Sequence, residues 1–277
     1  MDYRQLGRSD LQISRVSFGC MSLHDPRDAE RIIHRSVELG INFYDTADLY
    51  DKGMNEETLG RILQYRREKV IIATKVGNQW REDGSGWDWN PRKDYIIRAV
   101  EHSLRRLMTD RIDLYQLHGG TMEDPIDETI EAFDLLQQQG KIRYYGISSI
   151  RPAVIEEYVR RGDIVSVMTQ YSRLDRRPEE GVLDLLRQAG IGVLARGVLA
   201  KGLLAGKEAT DYLDRSAEEM RRESDEVKKE TEEANRLHPL GRKAMANIAV
   251  SYVLDNPAVT SAVVGVRTIR QLEEALG

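Results

Sequence analysis

Four residues in the first half of the chain have side chains that could share one proton: Asp45, Tyr50, Lys75 and His118. A free phenol, with a pKa of about 10, is a poor acid at neutral pH. A nearby ammonium stabilises the phenolate and lowers that value. A carboxylate holds the ammonium charged and in place, and an imidazole hydrogen-bonds a substrate oxygen or shares its proton. Together the four make a general acid aimed at a carbonyl oxygen, which is what a carbonyl accepting a hydride requires. Taken singly, each has an ordinary explanation. Tyr50 is a half-buried aromatic, Lys75 and Asp45 form a structural ion pair, and His118 is a satisfied core histidine.

Position separates them from ordinary residues. Asp45, Lys75 and His118 close the short apolar runs "INFYD", "VIIATK" and "IDLYQLH", and Tyr50 follows the first run in "DTADLY". Polar groups at the ends of successive buried strands are how parallel α/β enzymes assemble a site. Eight apolar, β-branched runs predict strands at Val16–Phe18, Ile41–Tyr44, Val70–Thr74, Ile112–Leu117, Ile142–Ile147, Ile164–Met168, Ile191–Leu194 and Thr260–Val264. Helical patterns lie between them at Pro26–Leu39 (capped by Asp25), Asn90–Met108, Pro125–Gln139, Pro152–Arg161 and Pro178–Ala189. Eight strand–helix units predict a closed (β/α)8 TIM barrel, with "YRQLG…LQIS" as an N-terminal β-hairpin that covers its bottom. A doubly wound sheet is disfavoured, because no G-x-G-x-x-G follows the first strand. The segment Lys207–Arg242 is rich in Glu, Lys and Arg, with a helix expected near Ser216–Asn235, as a solvated element or a flap over a ligand.

Composition narrows the function. With 277 residues the chain reads as a single barrel domain, 1–277. A net charge of −5 gives no basic field for nucleic acid or an anionic membrane. One cysteine, Cys20, excludes an internal disulfide and argues against a cysteine zinc site, and no His/Asp/Glu set has ligand spacing, so no metal is expected. No signal-peptide core and no run of about 18 apolar residues is present, so a cytoplasmic protein is expected. The absence of an apolar surface stripe or heptad run points to a monomer.

The motifs resemble the aldo-keto reductase family. "GINFYDTADLYDKGMNEETLGRIL" is similar to its signature, "IIATKV" to its lysine strand, and "SLRRLMTDRIDLYQLH" to the run that delivers its histidine. The resemblance continues through "GKIRYYGIS", "MTQYSRLDRR", "GIGVLARGVLAKGLLAGK" and "AVVGVRTIRQLEEAL". It implies reduction of an aldehyde or ketone by NADPH, with Tyr50 as proton donor, Lys75 and Asp45 tuning it and His118 orienting a small-molecule carbonyl substrate. It also implies a binding surface for NADP(H). Ser148, Ser149 and Gln170 would hold the carboxamide, Tyr171 would stack on the ring, and Gly19, Cys20 and Met21 would line the same region. Arg196, Gly197, Val198, Leu199, Lys201 and Gly202 would cover the pyrophosphate. Gly265 would line the adenosine end, Arg267 and Thr268 would take the 2′-phosphate, and Gln271 and Glu274 would reach the ribose and adenine. The alternative is a subunit that binds the nicotinamide cofactor with little turnover; the complete set of four favours the enzyme.

This chain departs from the family pattern at several points. Ser149 stands where an asparagine is usual, Gly197 replaces a serine, Arg196 adds a charge, "LHGG" leaves a small wall after His118, and Ala275 replaces an asparagine. A short C-terminal loop is expected after the last helix, which shifts substrate recognition to "GNQWREDGSGWDWN". Trp80 and Trp87 from that segment, with Tyr50 and His118, are the expected substrate pocket.

Overall fold

The computed structural model describes residues 1–23, 25–206 and 242–277; the helix expected near Ser216–Asn235 lies outside them. Eight parallel strands close into a barrel: β3 (Val16–Gly19), β4 (Phe43–Asp45), β5 (Ile71–Val76), β8 (Ile112–Leu117), β9 (Ile142–Ser148), β10 (Ser166–Gln170), β11 (Gly192–Arg196) and β12 (Val259–Gly265), in that order around the wall. All eight runs read from the sequence are barrel strands. The N-terminal hairpin pairs β1 (Tyr3–Gln5) with β2 (Gln12–Ser14). Around the barrel stand α1 (Pro26–Glu38), α2 (Met54–Leu63), α3 (Lys93–Arg106), α4 (Ile126–Gln138), α5 (Pro152–Arg161), α6 (Val182–Gln188), α7 (Arg242–Asp255) and α8 (Ile269–Leu276). No helix among the described residues is long and apolar enough to cross a membrane.

Side-chain alternation along each strand divides the core in two. Tyr44, Ile72, Tyr115 and Val193 face outward and pack under the helices. Phe43, Ala73, Leu114, Met168, Leu194 and Val263 face inward and fill the lower barrel with Leu6, Leu11 and Ile13 from the hairpin. The hairpin therefore plugs the N-terminal end. Gly7 makes the close approach possible: at φ +54, a Cβ there would lie 2.2 Å from the Val165 carbonyl oxygen. Two residues further along the strands the inward layer turns polar. Asp45 follows Phe43, Lys75 follows Ala73, Gln116 follows Leu114, Gln170 follows Met168 and Arg196 follows Leu194.

Several boundaries differ from the sequence reading. β4 begins at Phe43 rather than Ile41, because Asn42 is drawn to the hairpin, its Oδ1 accepting the Ser14 N–H at 2.8 Å. The helix expected over Asn90–Met108 is shorter. The Asn90 N–H donates to the Gly77 carbonyl at 2.7 Å, its Oδ1 accepts the Arg92 N–H at 3.2 Å, and Met108 at φ +52 ends the helix. The helix expected over Pro178–Ala189 is broken at Gly181, whose φ of +141 is not helical, into a 3-10 turn at Arg177–Glu180 and α6. The tryptophan segment, for which the sequence offered no strand, is an antiparallel hairpin of β6 (Asn78–Trp80) and β7 (Trp87–Trp89).

Candidate active site

Asp45 ends β4, Lys75 lies one residue from the end of β5, His118 directly follows β8, and Tyr50 opens the 3-10 turn Tyr50–Gly53. The fold brings all four to the C-terminal mouth of the barrel. Lys75 is at the centre and only 1% exposed. Its Nζ donates to Asp45 Oδ2 at 2.7 Å, to the Thr46 carbonyl at 2.7 Å and to the Tyr50 phenol oxygen at 3.3 Å. An ammonium has three hydrogens and no acceptor, so Lys75 is fully committed and the Tyr50 oxygen is an acceptor toward it. The phenol's own hydrogen must then point elsewhere. The His118 ring meets the Tyr50 ring edge-on, with centroids 5.9 Å apart. Gln116 supports the other carboxylate oxygen, its Nε2 donating to Asp45 Oδ1 at 3.4 Å. Asn78 Nδ2 donates to the His118 carbonyl at 3.4 Å.

Electrostatics fixes the protonation states. Burial lowers the Lys75 pKa, but the Asp45 and Tyr50 charges outweigh it and leave the ammonium above its ordinary value. Burial raises the Tyr50 pKa, and Lys75 only partly opposes it. The ammonium does act to lower the phenol's pKa, as expected, but desolvation is the larger effect and the net shift in this site is upward. His118 is pushed down to about 3 by burial, then by Lys75 and Arg196. At neutral pH the site therefore holds a charged lysine, a protonated phenol and a neutral imidazole. Burial raises the Asp45 pKa, and Lys75 opposes it.

The residues expected to hold a dinucleotide lie on the other side of the mouth. In barrel order the proton set occupies β4, β5 and β8, and the remaining set occupies β9, β10, β11, β12 and β3. Ser148 ends β9, and the Ser149 hydroxyl accepts the Arg151 N–H at 3.2 Å. Gln170 ends β10, where its Oε1 accepts from Arg196 at 3.3 Å. Gly197, Lys201 and Gly202 have φ of +70, +55 and +105, a tight path, while Val198 is buried and Leu199 packs against the core. Gly19 ends β3, Cys20 is buried, and Met21 is exposed. Gly265 ends β12, Arg267 is exposed, and Thr268 caps α8 by accepting the Gln271 N–H at 3.1 Å. Gln271 accepts the Arg267 N–H at 2.8 Å, and Glu274 accepts from Arg270 at 2.8 Å.

Tyr171 does not present the stacking face expected of it. The residue is 2% exposed, its hydroxyl donates to Glu179 at 2.9 Å, and its ring lies beside Tyr252. Arg196 holds the neighbouring position toward the mouth, where its charge acts on Asp45, Tyr50 and His118. Trp80 and Trp87 sit directly opposite each other in the β6–β7 hairpin, and the Lys52 ammonium lies 5.2 Å from the centroid of the Trp80 ring. Trp89 instead braces the hairpin, donating to Asp124 at 2.8 Å and packing over Gly77 and Gly119. Among the described residues, no group of three or more His, Cys, Asp or Glu side chains could hold a metal.

Sequence reasoning missed Gln116, Thr46 and Asn78. Gln116 had a signal, since it shares the inward face of its strand with His118. The Thr46 carbonyl had none, because a main-chain acceptor is invisible to residue type.

Comparison with known proteins decides the family. The Aldo/keto reductase family matches residues 15–277. The chain belongs to that family. It is 51% identical to the uncharacterized oxidoreductase YqkF of Bacillus subtilis, across 99% of this chain and 90% of that protein. The aldo-keto reductase AKR11C1 from Bacillus halodurans, in its holo form, superposes with a TM-score of 0.88 at 48% identity, covering all of this chain and 90% of that one. The aldo-keto reductase yakc [NADP(+)] of Schizosaccharomyces pombe is 33% identical over 70% of this chain and 60% of that protein. This aldo/keto reductase thus shares its barrel and its sequence pattern with oxidoreductases.

Proposed function

We propose that the chain is an NADP(H)-dependent oxidoreductase that reduces an aldehyde or ketone to an alcohol, with Tyr50 as the proton donor. The observation that carries this reading is the full commitment of Lys75. Its three hydrogens go to Asp45, Thr46 and Tyr50, which leaves the phenol proton for a substrate oxygen. A protonated phenol and a neutral imidazole are what reduction needs at pH 7. His118 then donates a hydrogen bond to the carbonyl oxygen, and Lys75 stabilises the phenolate left after proton transfer.

The residues across the mouth fit a nicotinamide dinucleotide. Hydroxyls at Ser148 and Ser149 and the Gln170 amide suit a carboxamide, and the cations Arg196, Lys201 and Arg267 suit phosphates. Bound there, the reduced nicotinamide supplies the hydride. Arg196, whose guanidinium is half-buried and bonded to Gln170, takes the cofactor's nearer end. Arg267 takes the 2′-phosphate beside the N-terminus of α8. One relative carries NADP(+) in its name, which supports the choice of cofactor. Trp80 and Trp87 wall the substrate, and Tyr50 and His118 form its floor. The test is NADPH consumption, followed by absorbance, with a panel of aldehydes and ketones. Turnover with NADPH above that with NADH is expected. Tight NADPH binding without turnover on any of them favours a cofactor-sensing subunit instead.

A further inference from the structure

The turn that carries Tyr50 does not hold its shape by itself. Asp51, Lys52 and Gly53 follow with φ of +47, +55 and +90. Two of the three are not glycine, and such residues persist in this region only where their surroundings enforce it. Enforcing contacts come from Asn55 and Glu56, which follow Met54 in the first turn of α2.

Asn55 is buried and bridges the residues that directly follow β3 and β4. Its Oδ1 accepts the Thr46 hydroxyl at 2.7 Å, and its Nδ2 donates to the Cys20 carbonyl at 2.9 Å. Glu56 is fully buried. Its Oε1 accepts the Thr74 hydroxyl at 2.5 Å, and its Oε2 accepts from Arg106 Nε at 2.7 Å and from a terminal nitrogen of Arg106 at 2.6 Å. Arg106 closes the bracket from α3: a Cβ on Gly53 would come within 2.6 Å of its Nε. Asp48 is the other acid of this cluster, and burial together with the Glu56 charge pushes its carboxyl well up. Arg106 is thus the cation that compensates Glu56 in the interior.

Two of these bonds end next to the proton-holding lysine. Thr46 supplies the carbonyl that accepts from Lys75, and Thr74 is the residue before Lys75. The two consecutive residues therefore fasten the Tyr50 turn to β4 and to β5 at once. We infer that Asn55 and the Glu56–Arg106 pair are positioning residues, which set the Tyr50–Lys75 separation and so the acidity of the proton donor. Neither touches substrate. The inference rests on the function proposed above.

Two variants test it, Glu56→Gln and the gentler Thr74→Val, each compared with wild type and Tyr50→Phe in NADPH-dependent carbonyl reduction. Loosening the turn moves the phenol away from its ammonium and raises the phenol's pKa. Expected are a kcat about tenfold lower, part of the ~100–10,000-fold that a general acid supplies, and a basic limb of the kcat profile displaced to higher pH. NADPH affinity and the KM for the carbonyl stay near wild type. Both variants lowering Tm while kcat and its pH profile stay at wild-type values would overturn the inference and leave the enzyme reading intact. A wild type that turns over no carbonyl, or that is matched by Tyr50→Phe, overturns both.

Discussion

Asp45→Asn isolates the ion pair at the centre of the site. Asparagine keeps the size of the side chain but removes the charge that faces Lys75 Nζ at 2.7 Å. Removing one member of a buried pair costs about 3–5 kcal/mol. Lys75 has one escape, which is to fold neutral. Deprotonating an ordinary lysine at pH 7 costs roughly 4.6 kcal/mol, at about 1.36 kcal/mol per pH unit below a pKa of about 10.4. The same conversion gives roughly 1.9 kcal/mol at pH 9, so the ceiling on the penalty falls as pH rises. In the wild type the folded Lys75 pKa lies above its ordinary value. Its contribution to stability is complete below the unfolded pKa and is lost as pH rises through the folded one. In the variant, burial meets weaker opposition and the folded pKa drops below the unfolded value. The unfolded chain then binds the extra proton, and stability climbs with pH. Urea unfolding at pH 7 and pH 9 reads this directly. The deficit of Asp45→Asn relative to wild type should shrink by about 1–3 kcal/mol between the two. An equal deficit at both would refute the account of Lys75 as an ammonium held charged by Asp45.

Three further outcomes are expected. His118, pushed down to about 3, stays neutral in the folded protein, so stability falls as pH drops through the unfolded histidine value of about 6.5, and His118→Gln should flatten that slope in acid unfolding curves; a slope unchanged by the substitution contradicts it. Gly53→Ala places a Cβ at φ +90 and 2.6 Å from Arg106 Nε; a loss of about 1–3 kcal/mol and a lower Tm are expected, and an unchanged Tm would show that the turn is not constrained. Arg267→Gln should weaken NADPH binding by about tenfold, the scale of one hydrogen bond to a charged group, and leave NADH binding alone; calorimetric titration with both cofactors checks it, and equal losses count against the 2′-phosphate assignment.

Strand positions were legible because each barrel strand is an apolar, β-branched run, buried on both faces. The inward polar layer was legible in part. Asp45, Lys75 and His118 each close such a run, so residue type and position together exposed them. The direction of the Tyr50 shift was not legible, since it depends on a balance between burial and Lys75 that only the packed site decides. The burial of Tyr171 against Glu179 and Tyr252 was not legible, since these neighbours come from elsewhere in the chain. The break at Gly181 looked like ordinary helix to a pattern that counts apolar spacing. The β6–β7 hairpin was hidden because its strands are only three residues long and rich in polar groups. The fastening of the Tyr50 turn by Asn55 and Glu56 was likewise invisible, since both sit in a helix start where acid and amide side chains are expected for capping alone.

The central claim is that Tyr50 delivers the proton. Tyr50→Phe keeps the ring beside His118 and leaves NADPH binding in place, so single-turnover reduction of a carbonyl by bound NADPH isolates the missing hydroxyl. The rate should fall by about 100–10,000-fold, the range a general acid contributes, with NADPH affinity unchanged. A Tyr50→Phe protein that reduces the carbonyl at the wild-type rate would contradict the account.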